Sequence, residues 1–131
     1  MSKESNMYKK DLENRHDIEQ LIRAFYAKLT EDEVVGHFFT EVVAIDWEAH
    51  FPIMFDFWES VLFHKPTYRR NAMQIHLDLN AKSPLRAEHF NRWLSLFEET
   101  VDERFSGEIA HNAKTRARSI ATMMQIKIAN Q

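Results

Sequence analysis

Two glycines, Gly36 and Gly107, and three prolines, Pro52, Pro66 and Pro84, are all that a chain of 131 residues has for breaking helices or turning hairpins. Tight hairpins need residues that tolerate positive φ, and a β-rich chain would need several of them. The chain therefore reads as all-α. Its length suits one domain with a real core, and no linker or internal repeat divides it. The expected organisation is a polar lead-in over residues 1–14, without apolar periodicity, and a single domain over residues 15–131.

Apolar positions recur at helical spacing through that domain. A first helix is expected from Asp17, as N-cap, with Ile18, Leu21, Ile22, Phe25, Tyr26 and Leu29 on one face. Thr30 to Glu33 suggests a second cap and a short turn that Gly36 ends. Asp46 is the expected cap of the next helix, whose inward stripe is Trp47, His50, Phe51, Met54, Phe57, Trp58, Val61 and Leu62. Pro52 lacks a backbone donor, so the first turn should bend or the helix start later. A connector runs from His64 to Ala72, and His76 follows in what reads as an apolar loop, among Met73, Ile75, Leu77 and Leu79. Ser83 and Pro84 signal the start of a helix through Phe90, Trp93, Leu94, Phe97, Val101 and Phe105, with Glu98, Glu99, Asp102 and Glu103 toward water. Beyond Gly107 a last helix turns Ile109, Ala113, Ala117, Ile120, Ala121, Met124 and Ile128 inward.

Several chemistries are excluded. With no cysteine there is no disulfide, thiolate metal site or cysteine nucleophile. No glycine-rich phosphate loop, GxSxG elbow or HExxH pair is present. A net charge of −3, with both signs interspersed, argues against a nucleic-acid partner. No apolar run approaches a membrane span and the N-terminus is polar where a secretory signal is apolar, so the expected location is the cytoplasm. His50, His64, His76 and His89 lack the paired spacing that puts two metal ligands on one helix face. What remains is one histidine among apolar residues, a second on an inward helix face, and an inward tyrosine and tryptophan. An imidazole in an oily wall is how a protein offers an axial ligand to haem iron. A half-buried histidine can equally be structural, with its ring nitrogens on backbone partners, and the residues alone leave both readings open.

The strings AFYAKL with Tyr26, GHFF with Phe38 and Phe39, WEAH followed by FW (Trp47, His50, Phe57, Trp58), HLDL with His76, and HFNRWLSLFEETVDERFSG at residues 89–107 stand in a specific order. In that order and spacing, from about Asp17 onward, the chain resembles the truncated haemoglobins, and among them the third group. The glycine pairs that mark the other groups are absent, as is common in the third.

The resemblance implies a two-over-two helical sandwich around haem b that binds O2, NO and CO. His76 would be the proximal iron ligand. Tyr26 would donate to the outer atom of O2, Trp93 would be a second distal donor, and His50 would be the distal histidine that gates access. Phe38 and Phe39 are similar to the aromatic pair that wedges the porphyrin, and Met54, Phe57 and Trp58 would line the distal wall. Tyr68, Arg69 and Arg70 are nearest in sequence for the haem propionates. The short segment between Phe39 and Trp47, and Pro52, depart from the pattern and bear on how His50 is aimed. Oxygen binding or transport, NO dioxygenation and peroxidase-like turnover supported by a reductase all fit such a pocket. The rivals are a cofactor-free helical interaction module and a haem-based gas sensor acting through a partner.

Overall fold

The computed structural model describes residues 9–66, 68 and 72–130. Five α-helices are present among them: α1 (Arg15–Glu31), α2 (Trp47–Phe63), α3 (Ala72–Lys82), α4 (Ala87–Arg104) and α5 (Glu108–Ala129). A π-helical turn, Phe38–Val42, precedes α2. The all-helical expectation holds.

Helix starts in this chain are fixed by side chains that satisfy the otherwise unpaired first N–H groups. The α1 cap is Asn14, not Asp17: the Asn14 side chain accepts from the Asp17 N–H at 3.1 Å. Asp17 sits in the first turn instead, where its carboxylate reaches back to the Glu13 N–H at 2.9 Å and binds Lys10. An acid suits that position, since the helix dipole is positive there. Of the expected stripe, Ile18, Leu21, Ile22, Phe25 and Leu29 are all buried in the core, and Tyr26 is half-buried against it. Leu12, just ahead of the helix, joins them at 1% exposure.

Asp32 makes the next turn. Its carboxylate accepts from the N–H groups of Val34 (3.0 Å) and Val35 (3.2 Å) and pairs with Arg92 at 2.8 Å. Gly36 does not end that turn; it begins a helical stretch that runs into the π turn, and a Cβ there would stand 2.8 Å from the Thr30 carbonyl oxygen. It is small because two backbones meet. The start of α2 is where the sequence put it, with the Asp46 carboxylate accepting from the Ala49 N–H at 3.4 Å. Pro52 lies inside α2 without delaying it.

Two further boundaries differ from expectation. The stretch bearing His76 is a helix of 11 residues, α3, rather than a loop. Helix α4 begins at Ala87, not at Pro84; the Leu85 N–H is taken by Asn80 Oδ1 at 2.8 Å and the Arg86 N–H by His89 Nδ1 at 2.9 Å. Ser83 to Arg86 is thus a linker tied down at both ends, and the imidazole caps the helix.

The start of α5 uses a residue from the far end of the chain. Asp11 accepts from the Ile109 N–H at 2.8 Å and the Ala110 N–H at 2.7 Å. The chain turns into this cap at Gly107, whose φ of 144° is open to glycine, and any Cβ would lie within 2.5–2.8 Å of the Asp11 side chain.

Packing follows the stripes. α1 lies on α2 and α4, α4 lies on α5, and α5 also meets α2 and α3. Two helix pairs, α1 with α2 and α4 with α5, therefore enclose one core, and α3 leans on α5. Ala110, Ala113, Ala117 and Ala121 are buried on α5 and let its neighbours approach closely. At the centre Phe97 is fully buried, stacked on Trp58 (4.8 Å, 17°) and Trp93 (5.8 Å, 11°) and edge-on to Phe25 (5.0 Å).

Removing the Asp11 carboxylate (Asp11→Ala) should destabilise the protein by about 1–2 kcal/mol, the usual worth of a cap. Gly107→Ala should cost more, because it adds about 1–3 kcal/mol of backbone strain and displaces the same carboxylate. Urea denaturation of both variants measures the difference. Asp32 offers a pH test. Burial raises its carboxyl pKa, but the Arg92 hydrogen bond and the Val34 and Val35 N–H groups outweigh that and hold it below its ordinary value. Its contribution is thus present above the unfolded carboxylate range and lost as pH falls through the folded value. Asp32→Asn should lower stability by about 1 kcal/mol at neutral pH, and the gap to the parent should close below about pH 4.

Candidate functional site

On α2 the residues His50, Met54, Phe57 and Val61 follow one another at spacings that place them on one helical face. All are half-buried, unlike Phe55, Trp58 and Leu62 on the side turned to the core. Helix α3 presents a half-buried His76. Direct packing between α2 and α3 is slight at most among the described residues. Yet the two imidazoles sense each other: burial first, and the proximity of His76 second, hold the His50 pKa below its ordinary value. His50 is therefore neutral at pH 7. Its Nε2 is enclosed and has no hydrogen-bond partner among the described residues. A buried polar atom left so costs about 1–3 kcal/mol and calls for an explanation.

Tyr26 comes to the same place from α1. Adjacent helix residues point about 100° apart, so Phe25 enters the core while Tyr26 turns toward α2. Its ring sits edge-on to His50 (5.5 Å, 83°), Phe39 (5.7 Å, 88°), Trp47 (5.5 Å) and Phe51 (5.9 Å). Its hydroxyl donates to the Met54 sulfur at 3.2 Å, a weak acceptor. Burial pushes the phenol pKa well up, so it stays a proton donor. Two polar atoms, one with a thioether partner and one with none, thus share the apolar region between α1, α2 and α3. That is the condition a polar ligand seated there would relieve.

The remaining expected site residues divide. Phe39 belongs to the Tyr26 cluster, also leaning on Trp47 at 6.2 Å, whereas Phe38 is buried between the rings of His37 (4.2 Å) and His89 (4.9 Å). Trp93 is half-buried on α4, against Phe97 and Phe25. Trp58 lies in the core stack on Phe97. Phe57 meets Tyr68 edge-on at 5.1 Å, which puts Tyr68 beside the α2 stripe. Arg69 and Arg70 lie outside the described residues. A cleft of about 550 Å³ continues the stripe past Phe57 and Val61 to Ile120 and Met124 of α5, with Arg116 at its rim.

Trp47 and Phe51 were read from the sequence as core stripe only, and both touch Tyr26. Their spacing around His50, three residues before and one after, carried the signal. A second hollow, about 320 Å³, opens between Arg23, Thr30, Trp47 and Phe51 onto the Tyr26 ring. A histidine-carboxylate metal site is not assembled: among the described residues no group of three or more such side chains could hold an ion. His89 is committed to capping α4, and His64 is the exposed left-handed residue that ends α2.

No family model matches the chain. A group 3 truncated hemoglobin of Campylobacter jejuni is 30% identical to it over 115 residues, which is 86% of this chain and 88% of the relative. The crystal structure of group III truncated hemoglobin from Campylobacter jejuni aligns with a TM-score of 0.80 at 28% identity, covering 92% of this chain and 94% of that one. Identity and coverage at this level, together with the shared fold, show that the chain belongs to the group 3 truncated haemoglobins.

Proposed function

We propose that this protein binds haem b between α2 and α3, with His76 as the proximal iron ligand, and takes O2, NO and CO on the side of Tyr26 and His50. The observation that carries the reading is the pair of under-satisfied polar atoms, Tyr26 Oη and His50 Nε2, in an apolar setting near the His76 imidazole. Bound haem would supply an iron centre that takes a diatomic gas and can exchange electrons with NO or peroxide.

The chain's own residues do the rest. His76 offers an imidazole from α3, a helix that packs on α5. Met54, Phe57 and Phe39 give apolar contact and keep water out. Tyr26, protonated and bonded only to a thioether, turns its O–H toward the outer atom of a diatomic ligand at little cost. Trp93 has an indole N–H that can serve as the second donor. His50 and Trp47 stand at the start of α2, where His50 gates access. Tyr68, beside Phe57, is the described candidate for a propionate, with Arg69 and Arg70 as neighbours in sequence.

A second reading is favoured by the same phenol. With haem bound, a phenol held protonated there would be able to donate to an O–O bond, which suits detoxification of NO or peroxide with electrons from a reductase. The binding reading accommodates carriage of O2 as well. No helix of the described residues is long and apolar enough to cross a membrane; a cytoplasmic location is part of this proposal.

Haem titration tests the reading directly. One equivalent should give a Soret band, and His76→Ala should weaken uptake by on the order of tenfold or more. A colourless protein that folds normally without haem would leave the interaction-module reading in its place. Tyr26→Phe should speed O2 release about fivefold, the equivalent of ~1 kcal/mol for one hydrogen bond. Stopped-flow displacement of O2 by CO measures it, and NO and peroxide turnover of the same variant distinguishes binding from detoxification.

A further inference from the structure

The cleft between α2 and α5, about 550 Å³, has the size of a small-molecule site, roughly 300–1,000 Å³. Val61 of α2 and Ile120 and Met124 of α5 line it, and Met123, 54% exposed, extends it along the surface of α5. Of its lining only Phe57 also belongs to the haem wall proposed above. The charge at its rim has one sign. On α5, Lys114 and Arg118 are four residues apart and share a face, where they pair with Asp102 and Glu98 of α4. Arg116, two residues from each, points about 200° away from them, to the rim of the cleft. It has no carboxylate partner among the described residues. The acids of α2 do not supply one, since Asp56 and Glu59 bond Arg15 of α1 at 2.7 and 3.1 Å, and no Asp or Glu lines the cleft.

We propose that this cleft binds a free long-chain fatty acid, its hydrocarbon laid along Val61, Ile120 and Met124 and its carboxylate held by Arg116. The inference goes beyond the haem reading and does not depend on it. A guanidinium suits the carboxylate end, because its planar fork meets two oxygens with two parallel N–H groups. The Ser119 hydroxyl, three residues on along the same helix and also at the rim, is a further donor to the same oxygens. A neutral hydrocarbon would leave the guanidinium unused, and a second copy of this chain would bring a like charge to the same rim. One negative charge on a long apolar body matches both parts of the cleft. Binding is non-covalent and displaces only water.

Calorimetric titration of the haem-loaded protein with laurate, kept below its micelle concentration, tests this. One laurate should bind per chain and leave the Soret band unchanged. Arg116→Gln should weaken binding about tenfold, the equivalent of one charge-assisted hydrogen bond, while leaving any uptake of dodecanol as it is in the parent. Ser119→Trp, at an exposed position, should abolish uptake by covering the cleft. Absence of laurate binding overturns the proposal, and so does binding that Arg116→Gln leaves at full strength. Laurate that displaces haem assigns the cleft to the haem slot and overturns it as well. Binding to phosphatidylglycerol vesicles without uptake of free laurate gives this face to a membrane surface, and self-association that Ser119→Trp abolishes, again without laurate uptake, gives it to a second copy; either result overturns the proposal. A protein that takes up no haem fails the haem reading alone, and the same titration of the colourless protein still decides this one.

Discussion

Phe97 is the point at which three helices become one object. Stacked between Trp58 of α2 and Trp93 of its own helix, and met edge-on by Phe25 of α1, it is a fully buried ring with aromatic surface on every side. Burying large side chains of this kind contributes about 1.5–3 kcal/mol each, before the added preference for stacked and edge-on geometry. The residues that α1, α2 and α4 bring to the site are tied to this ring through the chain. Tyr26 follows Phe25 in the chain, His50 lies two turns ahead of Trp58 on α2, and Trp93 lies one turn ahead of Phe97. The polar atoms are aimed by an apolar stack.

The charged surface plays a different part. Four acids that the second half of α4 turns outward each meet a cation from another helix: Glu99 and Glu103 pair with Lys28 of α1, Glu98 with Arg118 and Asp102 with Lys114 of α5. Exposed pairs of this type are worth about 0–1 kcal/mol each, so they do not hold the fold together. They do discriminate between packings, since sliding α4 against α1 or α5 would set acids opposite empty surface.

The long helices could be read from the sequence because they are amphipathic over many turns; the stripes of α1, α4 and α5 correspond closely to what is buried. Starts and short elements were harder, for a common reason. Asn14, His89 and Asp11 cap by reaching along or across the chain, and periodicity carries no information about that. Helix α3 reads as a loop in the sequence because it is short and its apolar residues fall on more than one side, with Ile75 49% exposed. Gly36 looked like punctuation, and its actual role, letting a backbone pass against the end of α1, exists only in three dimensions. At the site, the residue types were legible through the family pattern. The grouping of Trp47 and Phe51 around Tyr26, and the separation of Phe39 from Phe38, depend on the π turn, which a regular-helix reading cannot anticipate.

The Asp11 contact with α5 joins residues 98 positions apart. Closing so long a loop forfeits about 4 kcal/mol of chain freedom, from the logarithmic dependence on length, and the contact returns less than that by itself. It can form only once the intervening helices have already gathered, late on the way to the native state. A bond made after the rate-limiting barrier leaves the speed of folding almost untouched and holds back the reverse reaction. The segment ahead of α1 and the start of α5 are thus fastened by a latch whose benefit is longevity of the native form.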